Sequence, residues 1–94
     1  MRAIWVPEAL VCINTSLNAA DEVFEELKAC PEVQEAFKVQ GVYDIIARVR
    51  AESFEDLVGI VNRRIKSLTR VQTILSMLIV ESEKPVRNER LLLV

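Results

Sequence analysis

The segment Gly41-Val42-Tyr43-Asp44 has the residue types of a loop that binds a small polar molecule. Glycine permits positive φ angles and aspartate hydrogen-bonds its own local backbone, so these residues predict a turn. The simplest interpretation is a hairpin turn with a partly packed tyrosine. The alternative is a binding loop whose backbone N–H groups and exposed carboxylate take the two charged ends of an amino acid. Thr73, near one end of a later strand, adds a hydroxyl group to this candidate site.

Other kinds of chemistry have little support. The chain contains no histidine, which removes the commonest general base and the commonest metal ligand. Its two cysteines, Cys12 and Cys30, form no CxxC pair and are interpreted as small buried hydrophobic residues with free thiols. The acidic residues Glu22, Glu25, Glu26 and Glu32 are interpreted as the exposed, solvated side of a predicted helix. We therefore expect no enzyme activity, no metal site and no cofactor.

Composition and charge narrow the class of protein further. The 94 residues suit one domain, and 51% of them are hydrophobic and 28% charged, as in a globular protein. The formal net charge of −2 offers no electrostatic footprint for DNA or RNA. No apolar run approaches the roughly 18 residues of a membrane helix, and Pro7 and Glu8 interrupt the candidate signal peptide. We expect a cytoplasmic protein without direct nucleic-acid or membrane partners.

Six secondary structure elements are expected to position the candidate site. Alternating or two-sided apolar patterns predict four strands, at residues 8–14, 33–40, 45–50 and 71–81. A 3.6-residue apolar period predicts two helices, one from an N-cap at Asn18 to Pro31 and one from a cap at Ser53. In the second strand, we expect Val33, Phe37 and Val39 to share one face. The second helix is expected to bury the stripe Phe54, Leu57, Val58, Val61, Ile65 and Leu68.

The order strand, helix, strand, strand, helix, strand predicts an α+β ferredoxin-like plait. In this βαββαβ fold, a four-stranded antiparallel sheet carries both helices on one face. The first and last strands are apolar on both faces, whereas two helices cover only one face of a sheet. The other face would expose a contiguous apolar patch, which a soluble monomer rarely tolerates. We therefore expect a sheet-to-sheet homodimer.

Three segments of the chain carry a family resemblance. They are residues 31–37 (PEVQEAF), 41–49 (GVYDIIARV) and 70–74 (RVQTI). Together with the order of elements, they resemble the effector domain of the leucine-responsive regulator (Lrp/AsnC) family, called the RAM domain, over residues 8 to 81. The resemblance implies the same plait, sheet-to-sheet dimers and rings of dimers. It also implies that a small effector, usually an amino acid, binds between dimers near the turn.

The resemblance also implies individual roles at this site. The implied effector-binding residues are Gly41, Val42, Tyr43, Asp44 and Thr73. Gly41 would supply a backbone N–H, Tyr43 an apolar wall and Asp44 a carboxylate for an α-amino group. Two positions depart from the family pattern: Leu75 replaces a second threonine or serine, and Arg70 replaces the glycine before the last strand.

These observations lead to a functional hypothesis and its alternatives. A first strand that starts near residue 8 leaves no room for the helix-turn-helix domain of full-length family members. We therefore expect a stand-alone effector-binding module that acts on transcription by mixed assembly with full-length Lrp/AsnC regulators. The alternatives are a ligand-free oligomerisation or partner-binding module and an ACT-like regulatory domain. Residues 1–81 form the expected RAM-like domain, and residues 82–94 form a tail that frays or docks its apolar tip on a neighbouring subunit.

Overall fold

The computed structural model of the protein describes residues 6–80, which fold into four strands and two helical segments. The strands are β1 (Glu8–Thr15), β2 (Val33–Lys38), β3 (Ile45–Arg50) and β4 (Val71–Ile79). The helices are α1 (Ala20–Lys28) and α2 (Phe54–Gly59), and α2 continues into a π-helical segment, Ile60–Ile65. The sheet has the order β2-β3-β1-β4 with every neighbouring pair antiparallel. This arrangement confirms the predicted α+β ferredoxin-like plait.

Strand β1 lies in the middle of the sheet because both of its faces are apolar. Ala9, Val11 and Ile13 point towards the helices and are at most 3% exposed. The core that they enter also contains Val23, Leu27, Ile45, Ala47, Val49, Leu57, Val61 and Ile65. No helix in the described part of the chain is long and apolar enough to cross a membrane.

The start of α1 differs from the prediction. The N-cap position is occupied by Ala19, which offers no side-chain cap, and Asn18 instead has a left-handed φ of 63°. The connection from β1 is a tight turn, closed by a hydrogen bond of 3.0 Å from the Ala19 N–H to the Ser16 carbonyl. Asparagine adopts left-handed φ angles at lower cost than most other residues. The prediction that Asn18 caps α1 is therefore wrong, because the turn uses this residue for its backbone conformation.

The face pattern of β2 also differs from the prediction. Val33 pairs with Val49 and packs against the core, whereas Phe37 pairs with Ile46 on the opposite face and is 53% exposed. The pairing register shifts between Val33 and Glu35, where a β-bulge inserts one extra residue and reverses the alternation. Val33 and Phe37 therefore do not share a face, and Val39 lies beyond the end of the strand. The prediction that β2 is close to a sheet edge is confirmed.

Helix α2 begins as the sequence predicts. The Ser53 side chain accepts a hydrogen bond of 3.0 Å from the Asp56 N–H, which confirms the cap. Beyond Gly59 the backbone widens into the π-helical segment, and the Lys66 N–H donates to the Val61 carbonyl five residues earlier at 3.0 Å.

The buried residues of this helix differ in part from the predicted stripe. Ile60 is only 8% exposed although it lies outside the predicted stripe. Phe54 and Val58, two members of that stripe, are 50% and 39% exposed. The stripe is therefore correct for Leu57, Val61 and Ile65 and wrong for Phe54 and Val58, which lie in the regular α-helical turns before the π-helical segment.

The sheet face opposite the helices carries a continuous row of apolar side chains. We call it the open face and define it by Leu10, Cys12, Phe37, Ile46, Leu75 and Met77. Leu75 and Met77 are 46% and 45% exposed. At one end of the same face, the Glu8 carboxylate pairs with Arg48 at 3.2 Å and Arg50 at 2.8 Å. The expected apolar patch is present, and the sheet-to-sheet dimer stays a prediction.

Candidate functional site

The Gly41–Asp44 segment forms the turn between β2 and β3, as the sequence predicts. The Val39 N–H donates a hydrogen bond of 2.9 Å to the Asp44 carbonyl, which closes the turn. Gly41 has a φ of 158°, and no atom lies within 4 Å of the place where its Cβ would be. Val42 is 82% exposed and Tyr43 is half-buried. The tip of the turn is therefore accessible to a ligand or to another protein.

Asp44 ties this turn to the end of β1. Its Oδ2 accepts hydrogen bonds from the backbone N–H of Thr15 at 2.8 Å and from the Thr15 hydroxyl at 3.2 Å. Its own backbone N–H donates to the Ile13 carbonyl at 2.9 Å. These bonds hold the turn against a central strand, so the base of the turn has a fixed conformation.

Thr73 lies on the other side of β1, at the same end of the sheet. It pairs with Asn14, whose side-chain amide donates to the Thr73 hydroxyl at 3.2 Å. Because β1 runs between them, Thr73 and Asp44 are roughly 10 Å apart, the width of two strand spacings. All five predicted residues therefore lie at the same end of the sheet. Within one chain, however, Thr73 does not contact the turn formed by the other four.

Two residues of this region were missed by sequence reasoning. Asn14 contacts Thr73, and Thr15 contacts Asp44, so the two form the link between both halves of the candidate site. Their position in the sequence could have indicated this role, because two polar residues end a strand that is otherwise almost wholly apolar. The departures from the family pattern lie close by: the Arg70 carbonyl accepts from the Ser16 N–H at 2.8 Å, and Leu75 is exposed on the open face.

A second polar cluster lies at the far end of the molecule. The Cys30 thiol donates to Glu32 Oε1 at 3.3 Å, and the Arg64 guanidinium donates to the same oxygen at 3.0 Å. Burial, followed by the hydrogen bond to Glu32, raises the pKa of the Cys30 thiol. The thiol is therefore held protonated at neutral pH, which makes it a poor nucleophile.

A cavity of about 490 Å³ lies beside this cluster and not beside the turn. It is near the end of β3 at Arg50, roughly 20 Å along the strand from Asp44. Two of its arginines already have carboxylate partners, since Arg50 pairs with Glu8 and Arg64 with Glu32. These two arginines are therefore already neutralised by carboxylates, and we assign the candidate site to the turn. Among residues 6–80, no group of three or more Cys, Asp or Glu side chains is placed to hold a metal ion.

Comparisons with known proteins agree with this architecture. The model of the Lrp/AsnC ligand binding domain matches residues 8–88. Among solved structures, FFRP-DM1 is 32% identical over 81% of this chain and 100% of that chain, with a TM-score of 0.77. A protein from Thermus thermophilus is 28% identical over 86% of this chain and 100% of that chain, with a TM-score of 0.79.

A more distant structure shares the fold. A transcriptional regulator from Neisseria meningitidis, solved as a complex with L-Met, is 17% identical, and the match covers 97% of this chain and 67% of the regulator. Its TM-score is 0.74. A search of curated proteins found no significant match.

Proposed function

Because this chain belongs to the Lrp/AsnC ligand binding domain family, we propose that it binds an amino-acid effector beside the Gly41–Asp44 turn and assembles with copies of itself. The family is the regulatory ligand-binding domain of transcription regulators and not an enzyme family. The general role of the chain is therefore that of a regulatory effector domain. Beyond this general role, we propose that the effector is an amino acid, that the chain assembles with copies of itself, and that its partners are full-length regulators.

The observation that carries the proposal is the fixed, accessible turn. Three hydrogen bonds through Asp44 hold its base to β1, while Gly41 and Val42 at its tip remain exposed. A binding loop that is already ordered loses little conformational entropy when a ligand arrives. Backbone N–H groups near Gly41 would take the α-carboxylate of the effector, with the ring of Tyr43 as an apolar wall.

We propose a double role for Asp44. Its Oδ2 is engaged by Thr15, so an α-amino group would meet the second carboxylate oxygen, Oδ1. A carboxylate has about four lone-pair sites and can serve both partners. We therefore propose that Asp44 stabilises the fold and contacts the effector.

Assembly is part of the same proposal, because one chain supplies only separated halves of the site. The turn and Thr73 lie on opposite sides of β1, and the open face exposes Phe37, Leu75 and Met77 to water. A second copy that packs on the open face would bury these side chains and form a sheet-to-sheet dimer. Further assembly of dimers into a ring would place turns of different copies beside each other.

A regulatory role follows from the kind of protein that shares this domain. The Neisseria meningitidis regulator was solved with L-Met, which supports an amino acid as the class of effector. We propose that this chain works in the cytoplasm and acts on transcription by mixed assembly with full-length Lrp/AsnC regulators.

Thermal-shift measurements with each of the twenty amino acids test the effector proposal. A ligand that binds the folded protein raises the melting temperature as its concentration exceeds Kd, and we expect such a shift for one amino acid or a few related ones. Thr73→Val should reduce the shift without a large change in the ligand-free melting temperature. Ser76→Ala, an exposed change on the same strand but the other face, is the control and should leave the shift intact.

One observation favours a second candidate, a ligand-free oligomerisation module. Leu75 stands where the family has a second hydroxyl residue, and its exposed side chain makes this end of β4 less polar. Absence of a shift with all twenty amino acids, in a chain that still self-assembles, would support this candidate and contradict effector binding.

A further inference from the structure

A third arginine, Arg63, lines the cavity of about 490 Å³ near the end of β3. Arg50 and Arg64 pair with carboxylates, but among residues 6–80 no carboxylate lies within ion-pair distance of the Arg63 guanidinium. A cavity of this volume has the size of a small-molecule site. We call it the Arg63 cavity and define it by Arg50, Glu52, Asp56, Gly59, Arg63 and Arg64. An arginine with free donors in such a cavity is suited to bind a carboxylate group.

Gly59 makes the space in which the Arg63 side chain lies. Its φ of −63° and ψ of −42° are ordinary right-handed helical values, so the backbone does not require glycine here. Glycine is also a poorer helix former than alanine. A Cβ at this position would collide with the Arg63 guanidinium, whose Cζ would be only 3.0 Å away. The missing side chain therefore allows the guanidinium to cover the backbone of α2 at the wall of the cavity.

Two carboxylates of the same cavity, those of Glu52 and Asp56, likewise have no ion-pair partner in the described part of the chain. Asp56 lies three residues before Gly59 and Arg63 four residues after it, so the three follow one another along one side of the helix. Helical side chains lean towards the N-terminus, which directs Arg63 over Gly59 and towards Asp56. The cavity thus presents a cation and two anions that do not neutralise each other directly.

We propose that the Arg63 cavity binds a small zwitterion of the α-amino acid type. The carboxylate of the ligand would bind the Arg63 guanidinium, whose parallel N–H groups match a carboxylate, and its ammonium group would bind Glu52 and Asp56. A simple anion would be repelled by the two carboxylates and a simple cation by the arginine. The buried residues Ala51 and Ile60, which line the same cavity, would pack against the side chain of the ligand.

The Arg63 cavity is separate from the candidate site at the turn. Arg50 at its edge lies roughly 20 Å along β3 from Asp44. One chain supplies all the charged groups of the cavity, whereas the two halves of the turn site meet only between copies. The proposal therefore depends neither on effector binding at the turn nor on self-assembly.

The Nε–H signal of Arg63 in NMR spectra tests the proposal directly. It is followed at about pH 6, where the carboxylates remain ionised, during titration with each of the twenty amino acids. At least one should shift this signal saturably, and its analogues without the ammonium or without the carboxylate should bind at least about tenfold more weakly. No saturable shift with any amino acid, or equal binding of either analogue, would overturn the proposal. Shifts at Gly41 and Val42 without one at Arg63 would overturn it while supporting the turn site.

Three variants separate ligand binding from a structural role, with the amide signals of Ala51 and Ile60 as the measure of binding. Arg63→Met should weaken binding at least about tenfold, whereas Lys66→Met, which removes the same charge from an exposed position outside the cavity, should not. Gly59→Ala displaces the guanidinium, so it should weaken binding while the melting temperature stays unchanged or rises. Unchanged affinity in Arg63→Met, or an equal loss in Lys66→Met, would contradict the site.

Discussion

Asp44, the last residue of the β2–β3 turn, holds the end of β1 through Thr15. One oxygen, Oδ2, accepts both the Thr15 backbone N–H at 2.8 Å and its hydroxyl at 3.2 Å. A residue expected to form the turn and to contact a ligand thus also holds the turn to β1. Any change of Asp44 will alter stability as well as binding, so the two effects must be measured separately.

Substitutions at the two partners should separate these contributions. Asp44→Ala removes both hydrogen bonds and leaves the Thr15 N–H without its partner, so we expect a loss of about 2 kcal/mol in the free energy of unfolding. Thr15→Val removes only the hydroxyl bond and should cost about 1 kcal/mol or less. Urea titration measures both values. Equal stability of wild type and Asp44→Ala would contradict the role given to this carboxylate.

The left-handed conformation of Asn18 gives a second prediction. Asn18→Gly should leave stability unchanged or slightly raised, whereas Asn18→Thr should lower it by about 1 kcal/mol, because a β-branched residue fits a φ of 63° poorly. If Asn18 were the N-cap of α1, threonine would instead serve almost as well as asparagine. Thermal unfolding of the two variants distinguishes these cases.

The environment of Cys30 predicts slow alkylation at neutral pH. Burial and the hydrogen bond to Glu32 raise the pKa of this thiol, so less thiolate is present than in an unfolded chain. In a Cys12→Ala background, iodoacetamide should therefore react faster with the urea-unfolded chain than with the folded one. Glu32→Gln should increase the folded-state rate only in part, because burial is the larger cause.

The same thiol contributes to the pH dependence of stability. Its pKa is higher in the folded than in the unfolded state, so the stabilisation is complete below the unfolded pKa, near 9.0. It is lost as the pH rises through the folded pKa. Cys30→Ala should therefore flatten the decline of stability above about pH 9, and an unchanged decline would contradict the assignment.

The sequence predicted those features of the fold that depend on regular periodicity. A run that is apolar on both faces predicted β1, and a 3.6-residue period predicted α1, whose Val23 and Leu27 are buried. The errors occur where the backbone departs from a regular period. The bulge near Glu35 reverses the faces of β2, and Ile60, at the start of the π-helical segment, is buried although it lies outside the predicted stripe. Neither the β-bulge nor the π-helical segment can be recognised from the residue types alone.

The candidate site was predictable in its location but not in its internal contacts. The Gly41–Asp44 turn is evident from glycine and aspartate at short spacing. Its hydrogen bonds to Thr15 are separated by 29 positions in the sequence, so local patterns contain no information about them. The tail at residues 82–94, expected to form a separate segment, lies outside the described residues.

Self-assembly through the open face would both bury its apolar side chains and bring the two halves of the effector site together. Light scattering of the purified chain should give at least twice the monomer mass of 10.7 kDa. Leu75→Lys places a charge in the open face and should yield a folded monomer, whereas Leu17→Lys, on an 87% exposed loop position, should leave the assembly intact. A wild-type mass of 10.7 kDa at working concentrations would contradict the assembly and any effector site formed between copies.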